Sequence, residues 1–306
     1  AEFLQGRFVD AQICLENTYV HIAENGQENM VLCCDFLALR LALCTELSLS
    51  YTIAERRKEL LRRHNITWVT LFDSACAYYY ALSGQITQIP VLFREHQLST
   101  VNFLAPGKPM MELIENQVYL AQQEYAKVIG RSEGLLAVCE AMHYALVALH
   151  VQIQTAAAYE CLGKRTEARN CLKRALQIAL PDQFYLPFVE NYEYLEELLQ
   201  WEIQTADAAE HVFLTKVTEL GKNCQKRYGA LRKTHMFPKI AAELTEQEQR
   251  IIELLAERLS NREIAEKLFL SEGTIKQYIN RIYAKLQISG DVRTKRRQLI
   301  ELLTAE

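Results

Sequence analysis

The sequence predicts an all-α protein, an array of helical hairpins followed by a small bundle of four helices. Three observations carry this. Gly (11) and Pro (6) are scarce in 306 residues, so few sharp turns are available, while the helix formers Leu, Ala, Glu, Arg and Gln abound. Half of the residues are hydrophobic, enough for a sizeable core. A weak period of about 40 residues runs through the first two hundred, in the range of paired-helix repeats.

The repeats come first in the chain. "GRFVDA" (Gly6–Ala11) and "GKRTEA" (Gly163–Ala168) share the order small, basic, two others, acidic, Ala; "GQITQI" (Gly84–Ile89) and "QEYAKV" (Gln123–Val128) are looser copies, with a degenerate one expected near Thr45. The Gly or polar residue closes one helix in a turn, and the small residue five positions on lets the next helix pack closely. A hairpin cannot bury its apolar face alone, so neighbours must stack. "AAAYECLGKRTEARNCLKRALQIALP" (Ala156–Pro181) is the clearest unit and is similar to a tetratricopeptide repeat. A long helical pattern follows over 205–233. "THMFPKIAAE" (Thr234–Glu243) then reads as a linker, because Pro238 sits between two periodic segments. The expected organisation is a tetratricopeptide-like repeat domain over 1–233, a linker over 234–243 and a compact module over 244–306.

Four helices are expected in the module. The first opens on a capping box, Thr245 with Glu248, and presents Ile251, Ile252, Leu254 and Leu255. A second capping box, Ser260 with Glu263, opens the next, whose inner face is Ile264, Ala265 and Leu268. Ser271 is a natural N-cap for the third. Ile275, Ile279, Ile282 and Leu286 form its inner stripe. The fourth, after "SGDVRTKRR", carries Leu299, Ile300, Leu302 and Leu303.

On a wheel of the third helix, the face opposite the stripe is Gln277, Asn280, Arg281 and Ala284, flanked by Lys276. Amide and cationic tips with slim neighbours match base edges in a major groove, and a helix–turn–helix pair is a unit that presents such a face to DNA. Thr274, Lys276, Arg281, Lys285 and Arg293 are placed to reach phosphates, which position a helix without reading sequence. The charge pattern agrees. The net charge is −4, yet residues 274–297 hold Lys276, Arg281, Lys285, Arg293, Lys295, Arg296 and Arg297 against Asp291 alone.

The module resembles the LuxR-type helix-turn-helix of bacterial transcription regulators. The matching residues run from Leu244-Thr245 and Glu248 through Leu254-Leu255-Ala256, Leu259 to Ala265, Leu268, Leu270-Ser271, Thr274 to Lys276 and Ile282-Tyr283 to Lys285-Leu286. The resemblance implies a four-helix domain whose third helix reads double-stranded DNA through Lys276, Gln277 and Asn280, and which dimerises on DNA through the fourth helix, Leu299, Ile300, Leu302 and Leu303. Gln247, Arg258, Gln287 and Tyr278 depart from the family pattern, Arg258 and Gln287 standing where helix-ending Gly is usual. The preceding repeats, "ALQIALPDQFYLPFVEN" (Ala175–Asn191) above all, resemble the MalT-like helical region of large regulators of this type. Such regulators often carry a nucleotide-binding module, but no G-x-x-x-x-G-K-[ST] occurs in these residues, so nucleotide binding is not expected of them.

Other signals point to packing. Cys139, His143 and His150 are spaced for one helix face but lack a fourth ligand and a second motif, so no metal is expected. Tyr78, Tyr79, Tyr80, Tyr119, Tyr125, Tyr144 and Tyr159 read as core between helices, with a concave ligand or peptide surface as the other possibility. Nine cysteines without a CxxC read as reduced, buried thiols in a cytoplasmic protein. No catalytic constellation and no cofactor motif stand out. The expected function is a sequence-specific DNA-binding transcription regulator, not an enzyme and not bound to a membrane. Its repeats would receive a small-molecule or protein effector and control the module. The alternatives are a protein-interaction scaffold, or the C-terminal part of a larger nucleotide-binding signalling regulator.

Overall fold

The computed structural model describes the backbone of residues 1–306 apart from 28, 29, 48, 50, 102, 104, 257, 258, 287, 289–293, 297 and 300–306; side chains are described for the same residues less 233–243, 253 and 256. Among the described residues every regular element is helical, as the shortage of Gly and Pro predicts. The chain divides into two compact units, 1–228 and 229–306.

The first unit contains α1 (Phe8–Asn25), α2 (Val31–Cys44), α3 (Ile53–Arg62), α4 (Ile66–Leu82), the single turn α5 (Val91–Arg94), α6 (Lys108–Ala121), α7 (Tyr125–Ala141), α8 (Ala145–Cys161), α9 (Arg165–Ala179), α10 (Leu186–Glu190) and α11 (Tyr192–Ile203). The last helix, α12 (Ala208–Glu243), runs on through the division between the units. Packing follows chain order: α1 on α2, α2 on α4, α4 on α6, α6 on α7 and α8, and α8 between α7 and α9. Helix α8 is apolar or small on nearly every side, with Leu149, Val151, Ile153, Ala156, Ala157 and Ala158 all at 0% exposure, which is why it takes the central position.

The helices end in a recurrent way. At Gln123, His143, Gly163 and Gln183, each twenty residues after the last, the backbone turns left-handed, with φ between 55° and 70°. After each of α6, α7 and α8 the next N–H reaches back across the turn, Glu124 to the carbonyl of Tyr119, Tyr144 to Cys139 and Lys164 to Tyr159, at 2.8–2.9 Å. This is the Schellman closure, and it satisfies carbonyls that a helix end leaves open. Gly6, Gly84, Gln123 and Gly163, the positions singled out by the sequence period, are all left-handed.

Three buried carboxylates tie helices together. Asp35 on α2 accepts from Tyr19 (2.8 Å), Tyr51 (3.0 Å) and Arg56 (2.9 Å). Glu190 on α10 accepts from both arms of Arg40 (2.6 and 2.9 Å) and from Tyr78 (2.9 Å). Asp73 takes a two-pronged bond from Arg57 (2.7 and 2.9 Å). Each buried charge is compensated and hydrogen-bonded, the condition under which burial is tolerated.

Several expectations meet the structure here. Residues 234–243, read as a linker because of Pro238, are helical and continue α12 to Glu243; proline biases against helix without forbidding it. Cys139 lies on α7, His143 in the left-handed turn itself and His150 on α8, so the three do not share one helix face. Of the named tyrosines, Tyr78, Tyr79 and Tyr119 are buried, Tyr119 stacking on His96 with ring centroids 3.7 Å apart, while Tyr80, Tyr125, Tyr144 and Tyr159 are half-buried. All nine cysteines are free, with Cys34, Cys76, Cys139, Cys171 and Cys224 buried but Cys14, Cys33 and Cys161 exposed. No helix among the described residues is long and apolar enough to cross a membrane.

Candidate nucleic-acid interface

The second unit is built on α13 (Glu246–Ala256), α14 (Asn261–Leu268) and α15 (Glu272–Lys285), followed by helical backbone at 294–296 and 298–299. Ile251, Ile252 and Leu255 of α13, Ile264 and Ala265 of α14, Ile275, Ile279, Ile282 and Tyr283 of α15, and Leu299 close into one apolar core. The stripes read from the sequence are therefore the buried faces.

Local chemistry fixes where each helix starts. The Thr245 N–H donates to the Glu248 carboxylate (2.8 Å), while the Glu248 N–H reaches Thr245 Oγ1 (3.4 Å). The Ser260 N–H donates to Glu263 (2.7 Å), which returns its own N–H to Ser260 Oγ (3.3 Å). Ser271 Oγ accepts the N–H of Thr274 at 3.0 Å and lies 2.7 Å from the Thr274 hydroxyl. Both capping boxes and the N-cap read from the sequence are formed.

The turn between α14 and α15 is expected from the sequence, but the way it closes is not legible there. Phe269 adopts φ 55° and is 95% exposed, and the Leu270 N–H closes the turn on the Ala265 carbonyl at 3.0 Å. A left-handed non-glycine residue costs on the order of 1 kcal/mol, and Phe is not a residue from which that conformation is inferred.

This frame holds α15 with one side in the core and the other free. Lys276, Gln277, Asn280, Arg281 and Ala284 are exposed, while Ile275, Ile279 and Ile282 are buried between them. Among the described residues, Lys276, Gln277 and Asn280 have no hydrogen-bond or ion-pair partner. Arg281 lies over the ring of Tyr278, 5.3 Å from its centroid. Thr274 is half-buried and engaged with Ser271. The free face is thus cationic and amide-bearing, and its polar tips are unspent.

Two expected contact residues have partners within the unit. Lys285 Nζ donates to Glu248 at 2.7 Å, joining the last turn of α15 to the buried start of α13. Burial pushes the Glu248 carboxyl up, but Lys285 and Thr245 together outweigh it and hold Glu248 below the usual carboxylate range. Leu299 is at 0% exposure inside the unit's own core rather than on its surface. Arg293, Ile300, Leu302 and Leu303, and the two departures Arg258 and Gln287, lie outside the described residues. One structural residue was missed by the sequence reading: Arg296 donates to Asn261 Oδ1 and to the Leu259 carbonyl, both at 2.6 Å, tying the end of the chain to the start of α14. Its place in a basic run hid that role.

Comparison with known proteins agrees with this geometry over the second unit. Residues 242–296 match the family described as bacterial regulatory proteins, luxR family. A 43-residue stretch is 49% identical to the DNA-binding transcriptional activator DevR/DosR of Mycobacterium tuberculosis (strain ATCC 25618 / H37Rv), covering 14% of this chain and 20% of that relative. No solved structure matches the chain.

Proposed function

We propose, starting from a C-terminal domain of the luxR family of bacterial regulatory proteins, that this protein is a sequence-specific DNA-binding transcription regulator. In this reading α15 enters the major groove, Lys276, Gln277 and Asn280 contact base edges, and Thr274, Arg281 and Arg293 lie against phosphates. The observation that carries it is the exposed, unpartnered trio Lys276, Gln277 and Asn280 on a helix whose other side is locked into a core. Lys285 joins the phosphate contacts while also bracing the fold, since its ammonium has donors to spare beyond the one given to Glu248. Two copies bind a palindromic site, the contact between them falling on the segment around 300–303. The first unit is a tetratricopeptide-like sensor that receives a small-molecule or protein signal and sets the activity of the second; the even spacing of its turns supports this.

The test is selection of bound sites from a random double-stranded DNA pool by the full chain. Enrichment of one motif with a defined half-site supports the reading, and a pool recovered without sequence preference overturns it. The alternative, a scaffold whose helix-turn-helix packs on protein, draws on Phe269, 95% exposed at the turn. It expects no motif and a protein interaction that Phe269→Ser abolishes.

A further inference from the structure

Tyr278 of α15 lies between the core stripe and the reading face. Ile275, Ile279 and Ile282 are buried, Lys276, Gln277, Asn280 and Arg281 are exposed, and Tyr278 is half-buried. At about 100° per residue, Tyr278 falls roughly 60° to one side of Ile275 and Arg281 roughly 120° to that same side, whereas Lys276 falls about 100° to the other. Both edges of the reading face thus carry a cation, but the two cations are held differently. Lys276 has no hydrogen-bond or ion-pair partner among the described residues. Arg281 lies over the Tyr278 ring, its guanidinium carbon 5.3 Å from the centroid. That is within the reach of a cation–π contact, about 6 Å, and arginine is the side chain that makes such contacts most often. The ring is anchored in turn, because Tyr278 packs against the apolar core of the unit. Support therefore runs from core to ring to exposed guanidinium.

We infer that Tyr278 is a positioning residue for DNA binding: its ring holds Arg281 along one edge of α15, in place for a phosphate at the groove wall. The inference rests on α15 entering the major groove. An arginine free to sample its rotamers gives up that freedom when a phosphate fixes it, a loss of about two- to tenfold in affinity. One that already lies on a ring gives up less. Stacking uses the face of the guanidinium and leaves its N–H groups, which lie in the plane, for phosphate oxygens. A carboxylate would also hold an arginine still, but it would cancel the charge that DNA attracts. Arg262 of α14 has that arrangement, paired with Glu266 at 3.1 Å. No ion pair among the described residues engages Arg281, whose partner is the ring. An aromatic face is thus the kind of partner that orders a DNA-binding cation without neutralising it.

The test is a double-mutant cycle on the full chain, titrated at several salt concentrations with the duplex selected from the random pool. Tyr278→Leu keeps apolar volume against the core and removes the ring. It should weaken binding about two- to tenfold for each α15 on the DNA, while the salt dependence keeps its slope because the charge of Arg281 is still present. Arg281→Gln should weaken binding further and lower the slope by about one for each copy. In the Arg281→Gln chain, Tyr278→Leu should then cost nothing more. Tyr278→Phe, which keeps the ring, should bind as the parent does. Arg281→Lys, at an exposed position where folding is not at stake, keeps the charge without the flat stacking surface and should lose affinity as Tyr278→Leu does. The inference is overturned if Tyr278→Leu costs the same in both backgrounds, since the tyrosine then acts on DNA or on the fold by itself. It is overturned too if Tyr278→Phe loses as much as Tyr278→Leu, which would make the hydroxyl the working group, or if Arg281→Lys binds as the parent does. A parent chain that selects no motif sinks the major-groove reading and this inference together, whereas a parent that binds its motif and returns an additive cycle sinks this inference alone.

Discussion

At the scale of single residues, exposure and partnership separate what α15 presents from what holds it. Gln277 and Asn280 are exposed and unpartnered, so truncating either should relax preference at one or two base pairs, at a cost of about 1–3 kcal/mol in specific binding, read by repeating the pool selection with Gln277→Ala and Asn280→Ala. Lys285 behaves otherwise. Lys285→Met strands the Glu248 carboxylate, which is 2% exposed. Breaking a fully buried pair costs about 3–5 kcal/mol; with Lys285 more than a third exposed, about 1–3 kcal/mol is expected. Denaturant unfolding of the C-terminal unit should register that loss, whereas Lys276→Ala should leave stability alone and weaken DNA binding. Leu299, expected on a dimer face, sits in the core, so Leu299→Glu should unfold the unit and cannot report on dimerisation. A pH effect belongs to His150. Burial, helped by nearby Arg40, lowers its pKa to about 3. The unfolded chain, with a His near 6.5, then binds more protons than the native one between those values. Stability of the first unit should therefore be full above about pH 6.5 and fall as the pH drops below it. Melting from pH 7.5 to 4.5 measures the slope, and His150→Leu should flatten it.

At the scale of elements, turns and close approaches set the sensitive positions. Gly163 is left-handed (φ 70°) with open space where the first carbon of a side chain would stand, so Gly163→Ala should lose about 1–2 kcal/mol through backbone strain alone. Gly221 on α12 faces Tyr192 of α11 so closely that an added carbon would lie 2.4 Å from the ring. Gly221→Ala should cost about 1–3 kcal/mol by overpacking, and Tyr192→Leu in the same chain should recover part of it, while Gly163→Ala gains nothing from any neighbour. Chemical denaturation of the three variants distinguishes the two mechanisms. The same features mark how much could be read beforehand. Helix starts were legible because Thr245, Ser260 and Ser271 announce themselves by side-chain chemistry. The apolar stripes of α13 to α15 were legible because period 3.6 is written in Ile and Leu. Helix ends were legible at glycine and, through the repeat period, at Gln123; His143 and Phe269 close turns with the same backbone, and nothing in their side chains signals it. Pro238, which signals a break in helix, stands inside α12. Contacts between distant residues, Arg296 on the Leu259 carbonyl or Lys285 on Glu248, leave no local mark at all.

At the scale of the whole molecule, the division into 1–228 and 229–306 raises the question of control. Residues 1–238 carry more acid than base, and residues 274–297 are strongly basic. Attraction between them would compete with DNA. The fragment 239–306, which retains the core of the second unit, should then bind DNA at least as tightly as the full chain at low salt. The gap should narrow as salt rises, because exposed attractions are screened within about 10 Å at 0.1 M, even though both lose affinity for DNA. Parallel titrations at several salt concentrations decide it, and a full chain that binds tighter throughout would assign the first unit to dimerisation instead. The even spacing of the turns has a consequence of another kind, for how such a chain can change its length over generations. Gln123, His143, Gly163 and Gln183 reverse the chain at intervals of twenty residues, and each reversal swaps the direction of travel. Losing or gaining twenty residues would send everything downstream the wrong way along its neighbours, whereas a block of forty restores the original heading. Duplication and deletion are therefore held to an even count of helices, a parity rule that would leave its trace in the gene as insertions and losses in steps of two.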